Sequence, residues 1–68
     1  MKKIDARGLS CPEPVVLAKN AVDASEKQIE ITVDAQVSKE NVSRFLENAG
    51  YKLSVKESGD DFIINATK

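Results

Sequence analysis

Between Gln28 and Asp34 apolar and polar residues alternate: Ile29, Ile31 and Val33 fall on one side, Glu30 and Thr32 on the other. A two-residue period marks a strand with one buried face and one wet face. Beyond it the period changes. Val42, Phe45, Leu46 and Ala49 recur at the i, i+3, i+4, i+7 spacing of a helix. Ser38 is placed as its N-cap, Val37 and Val42 are placed to pack across that cap as a hydrophobic staple, and Gly50 suits the C′ position. Tyr51, Leu53 and Val55 then alternate in another strand, Ser58-Gly59-Asp60 supplies a turn, and Phe62, Ile64 and Ala66 form one face of a last strand. The chain opens with a short strand over about Lys2 to Ala6, with Ile4 and Ala6 on one face. A helix follows, expected from Pro12 to about Ala24. On it Pro14, Val15, Leu17, Ala18, Ala21 and Val22 share one broad face, and Val16, Lys19, Asn20 and Asp23 lie opposite.

The order is therefore β-α-β-α-β-β, with one apolar face on each strand and one apolar stripe on each helix. An α/β (α+β) two-layer sandwich satisfies every stripe: two helices on one face of a four-stranded mixed sheet. The other sheet face would carry Glu30, Thr32, Lys52, Ser54 and Lys56, which suits water. With no repeat, linker or low-complexity segment, residues 1–68 are expected to form a single domain.

Sixty-eight residues lie near the lower limit at which one core holds itself together. Aromatic residues make up only 4% of the chain, so Val, Ile, Leu and Ala must build that core. A deep pocket for a large cofactor is not expected; chemistry would take place on a surface, with no cofactor. The formal charge is −1 with both signs mixed along the chain, and no basic stripe of the kind that tracks nucleic acid is present. No apolar run approaches membrane length, and Met1-Lys2-Lys3-Ile4-Asp5 lacks the hydrophobic stretch of a signal peptide. The single cysteine has no internal disulfide partner, so a reducing cytoplasm is the expected home. There is no histidine, which removes the usual zinc ligands and the usual base of a cysteine hydrolase.

That cysteine, Cys11, sits in Asp5-Ala6-Arg7-Gly8-Leu9-Ser10-Cys11-Pro12-Glu13-Pro14. From composition alone a lone cysteine reads as a buried, inert hydrophobe. Position argues otherwise: packing gives no reason for Cys at an N-cap directly before Pro, where Ser, Thr, Asp, Asn or Gly is usual. With Cys11 as N-cap and Pro12 as first helical residue, Pro12 and Pro14 bring no N–H, leaving the amides of Glu13 and Val15 nearest the sulfur. A helix N-terminus favours a nearby anion by about 0.3–1 kcal/mol when exposed and up to ~2 kcal/mol when partly buried. A tenfold change in ionisation corresponds to about 1.4 kcal/mol, so the thiol should move from its ordinary 8.5 or so towards neutrality. Arg7 would add to this and Glu13 oppose it. A thiol titrating near ambient pH is the best attacking thiol. Asp5 either closes the first strand or holds Arg7, and Gly8 answers a backbone requirement. Val16 is an apolar residue on the polar side of the helix near the thiol, and Lys19 lies on the same side; together they read as a docking surface or as scattered solvated residues.

These residues, with Val15, Val16, Leu17 and Lys19 after them, resemble the signature of the TusA/SirA family of small sulfur carriers, and the resemblance covers essentially the whole chain. The run from Asp5 to Leu17 is especially similar to the N-terminal domain of YedF-type proteins linked to selenium metabolism, in many of which a second domain follows. The resemblance implies the same β-α-β-α-β-β sandwich and a TusA-like domain over residues 1–68. It also implies that Cys11 accepts a sulfane sulfur, carries it as a persulfide and passes it on. The implied partners are a donor protein of the cysteine desulfurase or rhodanese type and a downstream acceptor protein. Neither a membrane nor nucleic acid is expected as a partner. From another class stands a non-catalytic interaction or regulatory module, in which Cys-Pro-Glu-Pro is only a helix cap and the face with Val16 and Lys19 docks a partner.

Overall fold

The structure, a computed structural model, describes residues 2–10 and 12–68. The elements follow the expected order: β1 (Lys2–Asp5), α1 (Glu13–Asp23), β2 (Gln28–Val33), α2 (Gln36–Asn48), β3 (Lys52–Ser58) and β4 (Asp61–Thr67). They form a four-stranded sheet in the order β1-β2-β4-β3. β1 and β2 run parallel, and β4 pairs antiparallel with both β2 and β3. The parallel pair requires a crossover, which α1 supplies.

Packing follows the alternation in β2. Ile29, Ile31 and Val33 are sealed, while Glu30 and Thr32 keep partial access to solvent. Ile64 and Ala66 of β4 join them, and Val42 and Leu46 press down from α2. Fully burying one such aliphatic side chain stabilises the fold by about 1.5–3 kcal/mol. Ala18 and Ala21 are the buried positions at the centre of α1, and their small size lets that helix lie close to its neighbours. On the outer face Lys52, Ser54 and Lys56 are exposed, but the alternation expected of Tyr51, Leu53 and Val55 holds only in part: Tyr51 precedes β3, Leu53 is half-buried and Val55 is 43% exposed, because β3 is the outer strand of the sheet.

Both helices stop on a residue with positive φ. Gly50 at φ +94° follows the α2 C-cap Ala49. Its N–H donates to the Glu47 carbonyl at 3.0 Å and the Tyr51 N–H to the Leu46 carbonyl at 3.1 Å. This is a Schellman motif with glycine at C′, as the spacing expects. α1 ends in the same way without a glycine: Ser25 takes φ +61°, its N–H reaches Val22 O at 2.9 Å and the Glu26 N–H reaches Ala21 O at 3.2 Å.

Four expectations about element ends are corrected. β1 stops at Asp5, although Ala6 is buried and its N–H still donates to the Thr32 carbonyl at 2.8 Å. α1 starts one residue late: Pro12 is its N-cap and Glu13 its first residue, because the Pro12 carbonyl already accepts the Val16 N–H at 3.0 Å. The expectation that Cys11 itself caps the helix lies outside the described residues. α2 starts early, with Ala35 as an extended N-cap whose carbonyl accepts the Lys39 N–H at 3.0 Å. Ser38 is thus inside the helix and buried, and Val37 stands 62% exposed with no staple to make. The physical reason is burial: starting at Gln36 brings Ser38, Val42 and Leu46 onto one inward stripe, which outweighs the preference of serine for a cap.

Candidate functional site at one edge of the sheet

Chain direction decides what meets at each edge. β1 and β2 are parallel, so α1 and α2, which follow them, both begin at the edge where those strands end. β3 reaches the same edge, because β4 lies antiparallel between it and β2. The segment carrying Cys11, the start of α2 and the turn between Ser58 and Asp61 are therefore gathered at one edge.

The segment from Ala6 to Pro12 is fixed at its base by polar contacts. Asp5 holds Arg7 in a two-pronged ion pair, with Nε to Oδ1 at 2.9 Å and Nη2 to Oδ2 at 3.0 Å. The Arg7 backbone N–H also donates to Asp5 Oδ1 at 3.1 Å. Hydrogen bonds from the Arg7 side chain, then from its backbone, lower the Asp5 pKa from 3.8 to about 2. The Arg7 guanidinium is in turn held more firmly protonated, first by its hydrogen bonds to Asp5, next by that carboxylate's charge and last by Asp61. Asp61, at the start of β4, accepts from Arg7 Nη1 at 3.4 Å. Both readings of Asp5 hold: it is the last residue of β1 and it holds Arg7.

Gly8 has φ +76°, a conformation L-residues rarely adopt. Its N–H donates to Asp34 Oδ2 at 2.9 Å, across 26 positions of sequence. Leu9 packs against the core. Ser10 and Pro12, on either side of Cys11, are both exposed, as is Glu13. Pro14, at the second position of α1, is buried. The Glu13 amide, expected to face the sulfur, donates instead to the Ser10 carbonyl at 2.8 Å. That donor is spent, because a helix starting at Glu13 puts its first N–H one residue too early for the expected nest.

Val16 is 47% exposed on the outer side of α1. Lys19 is exposed on the same side but is paired with Asp23, Nζ to Oδ2 2.7 Å, one helical turn on. The structure thus brings Asp5, Arg7 and Gly8 together at the base of the segment, with Pro12, Glu13 and Pro14 at the helix mouth. Sequence reasoning missed Asp34 and Asp61. The signal for Asp34 was present: an acidic residue directly after a strand parallel to the first must lie at the same edge as Gly8. Val37 is also added, as an exposed apolar residue in the first turn of α2.

No helix among the described residues is long and apolar enough to cross a membrane. The profile of the family described as Sulfurtransferase TusA matches residues 2–68. A candidate sulfur carrier protein of Methanocaldococcus jannaschii is 37% identical over 59 residues, which is 84% of this chain and 79% of that protein. A candidate sulfur carrier protein of Archaeoglobus fulgidus is 33% identical over 66 residues, 94% of this chain and 86% of the relative. The crystal structure of a SirA-like protein from Desulfitobacterium hafniense superposes with a TM-score of 0.86 at 28% identity, covering 98% of this chain and 96% of the other.

Proposed function

Because the chain belongs to the TusA sulfurtransferase family, we propose that it carries sulfur as a persulfide on Cys11, received from a donor protein of the cysteine desulfurase or rhodanese type. The observation that supports this reading is that Ser10 and Pro12, the sequence neighbours of its one cysteine, are both exposed just ahead of α1, in a segment tied to the sheet edge through Arg7 and Gly8. Asp5, Arg7 and Gly8 hold the base of that segment. Pro12 and Pro14 stiffen the helix start by fixing φ, and Val16 with Lys19 forms the face that meets the partner.

The Cys11 thiolate attacks the outer sulfur of the donor's persulfide. A new S–S bond forms at Cys11 while the donor's own S–S bond breaks, and the donor leaves as a thiolate that takes up a proton. An acceptor thiolate then attacks the outer sulfur on Cys11 and releases the Cys11 thiolate. No net oxidation occurs in either step, and the attacking thiol works best when it titrates near ambient pH.

The test is mass spectrometry after incubation with a cysteine desulfurase and free cysteine. One added sulfur atom on Cys11, removed by a reductant and absent from Cys11→Ser, is the expected result. Absence of that mass from the wild-type chain, or full function in Cys11→Ser, would overturn the carrier reading in favour of the interaction module.

A further inference from the structure

We propose that Asp34 is the positioning residue of the Cys11 segment: by accepting the Gly8 N–H it fixes the backbone three positions ahead of Cys11, and so governs how readily Cys11 reacts. The proposal deepens the carrier reading in that it concerns the same thiol. Between the end of β1 and the start of α1, the described ties are of different kinds. Ala6 is bound backbone to backbone, N–H to Thr32 O at 2.8 Å, and the Glu13 amide is bound locally to Ser10 O. Leu9 is held by apolar contact. Gly8, three positions before Cys11, is held by a side chain from elsewhere in the fold, at 2.9 Å.

Asp34 is well suited to this. It directly follows Val33, which is fully buried, so the backbone of Asp34 is fixed by β2 while its carboxylate lies at the surface. An exposed side chain of this kind contributes little to the core, so replacing it leaves the fold intact. Gly8 at φ +76° turns its N–H towards that carboxylate. Without the acceptor that hydrogen bond no longer supports the positive-φ conformation, and the segment samples others, which changes the setting in which Cys11 reacts.

The carboxylate has two properties that must be separated, its charge and its hydrogen bond to Gly8. Asp34→Asn removes the charge and keeps an acceptor oxygen. Asp34→Ala removes both, and Asp34→Ser, whose hydroxyl is too short to reach Gly8, serves as a second variant without the tie. The readouts are the rate of Cys11 alkylation by iodoacetamide as a function of pH, and the rate of sulfur loading from a desulfurase with cysteine. A net hydrogen bond of ordinary strength corresponds to roughly a fivefold change in an equilibrium. Asp34→Ala and Asp34→Ser should therefore react roughly fivefold more slowly than Asp34→Asn near neutral pH, with a higher pH midpoint. Sulfur loading should fall in the same two variants and persist in Asp34→Asn.

Superimposable pH–rate profiles for Asp34→Asn and Asp34→Ala would overturn the proposal. If the profiles part as expected but the wild-type chain takes up no sulfur, Asp34 keeps its positioning role and the carrier reading is what fails.

Discussion

Replacing Gly8 with alanine isolates the conformational demand of the thiol-bearing segment, because a Cβ there would meet no atom within 4 Å. Steric crowding drops out and only the backbone matters. Two routes are open to the variant. It can keep φ near +76°, where an L-residue is disfavoured by about 1–2 kcal/mol. Otherwise it can rotate to negative φ and give up the hydrogen bond to Asp34, which forfeits about 0.5–1.5 kcal/mol net. The cheaper route sets the cost, so Gly8→Ala should destabilise the fold by about 1 kcal/mol, or about 4–8 °C in Tm for a domain of this size. Thermal unfolding followed by circular dichroism measures it. A chain of 68 residues is within reach of chemical synthesis, which allows the decisive control of d-alanine at position 8. The d-residue accepts positive φ without strain and restricts the unfolded chain, so it should match or exceed the wild-type Tm. Equal losses with l- and d-alanine would refute the reasoning, as would an l-alanine variant within ~1 °C of wild type.

Ser25 makes the converse case, a non-glycine residue at φ +61° closing α1. Relief of the left-handed strain exceeds the extra chain entropy of glycine, so Ser25→Gly should stabilise by about 0.5–1 kcal/mol, read as a higher urea midpoint at unchanged slope. Leu46 is completely buried between α2 and the sheet, and Leu46→Ala should cost about 2–5 kcal/mol. A domain of this length holds roughly 3–10 kcal/mol in all, so a large unfolded fraction should appear in the far-ultraviolet spectrum at 37 °C. The Asp5 carboxylate has its pKa lowered from 3.8 to about 2 by hydrogen bonds from Arg7. A depressed folded-state pKa gives stability that is complete above the ordinary value and lost as pH falls through the folded one. Plots of Tm against pH for wild type and Asp5→Asn should therefore lie apart above pH 3.8 and converge as the pH falls to about 2; parallel plots across that range would contradict the Asp5–Arg7 clamp.

Regular alternation made the core legible. Ile29, Ile31 and Val33 on one side of a strand, and Val42, Phe45, Leu46 and Ala49 on one side of a helix, leave one way to hide both faces. The helix starts were less legible, because a cap is a contest between local preference and burial. Ser38 looks like a cap by residue type, yet the helix extends back to Gln36 and buries it, leaving Val37 in solvent. At the site, the contact short in sequence was read and the long ones were missed. Asp5 and Arg7 stand two positions apart, so their pairing was an option from the start. Asp61 reaches Arg7 across 54 positions and Asp34 reaches Gly8 across 26, and both contacts exist only once the strand order is fixed.

The same topology separates the parts that hold the fold from the parts that present the thiol. Both helices begin at one sheet edge and end at the other, where the two Schellman turns and the Tyr51 hydroxyl, donating to the Glu26 carbonyl, close the structure. The aliphatic core lies between the two edges and takes Ala6 and, in part, Leu9 from the Cys11 segment. The exposed residues of that segment are held by polar ties: Asp5 to Arg7, Arg7 to Asp61, Gly8 to Asp34. Ties of this kind are weak singly, since surface ion pairs contribute about 0–1 kcal/mol, so the segment can open locally while the sheet stays intact. Under the carrier reading this division has a chemical purpose. One sulfur must be met first by a donor and then by an acceptor, two proteins of different shape. An enclosed pocket would be fitted to one of them, whereas a thiol carried between the exposed residues Ser10 and Pro12 can be approached by both.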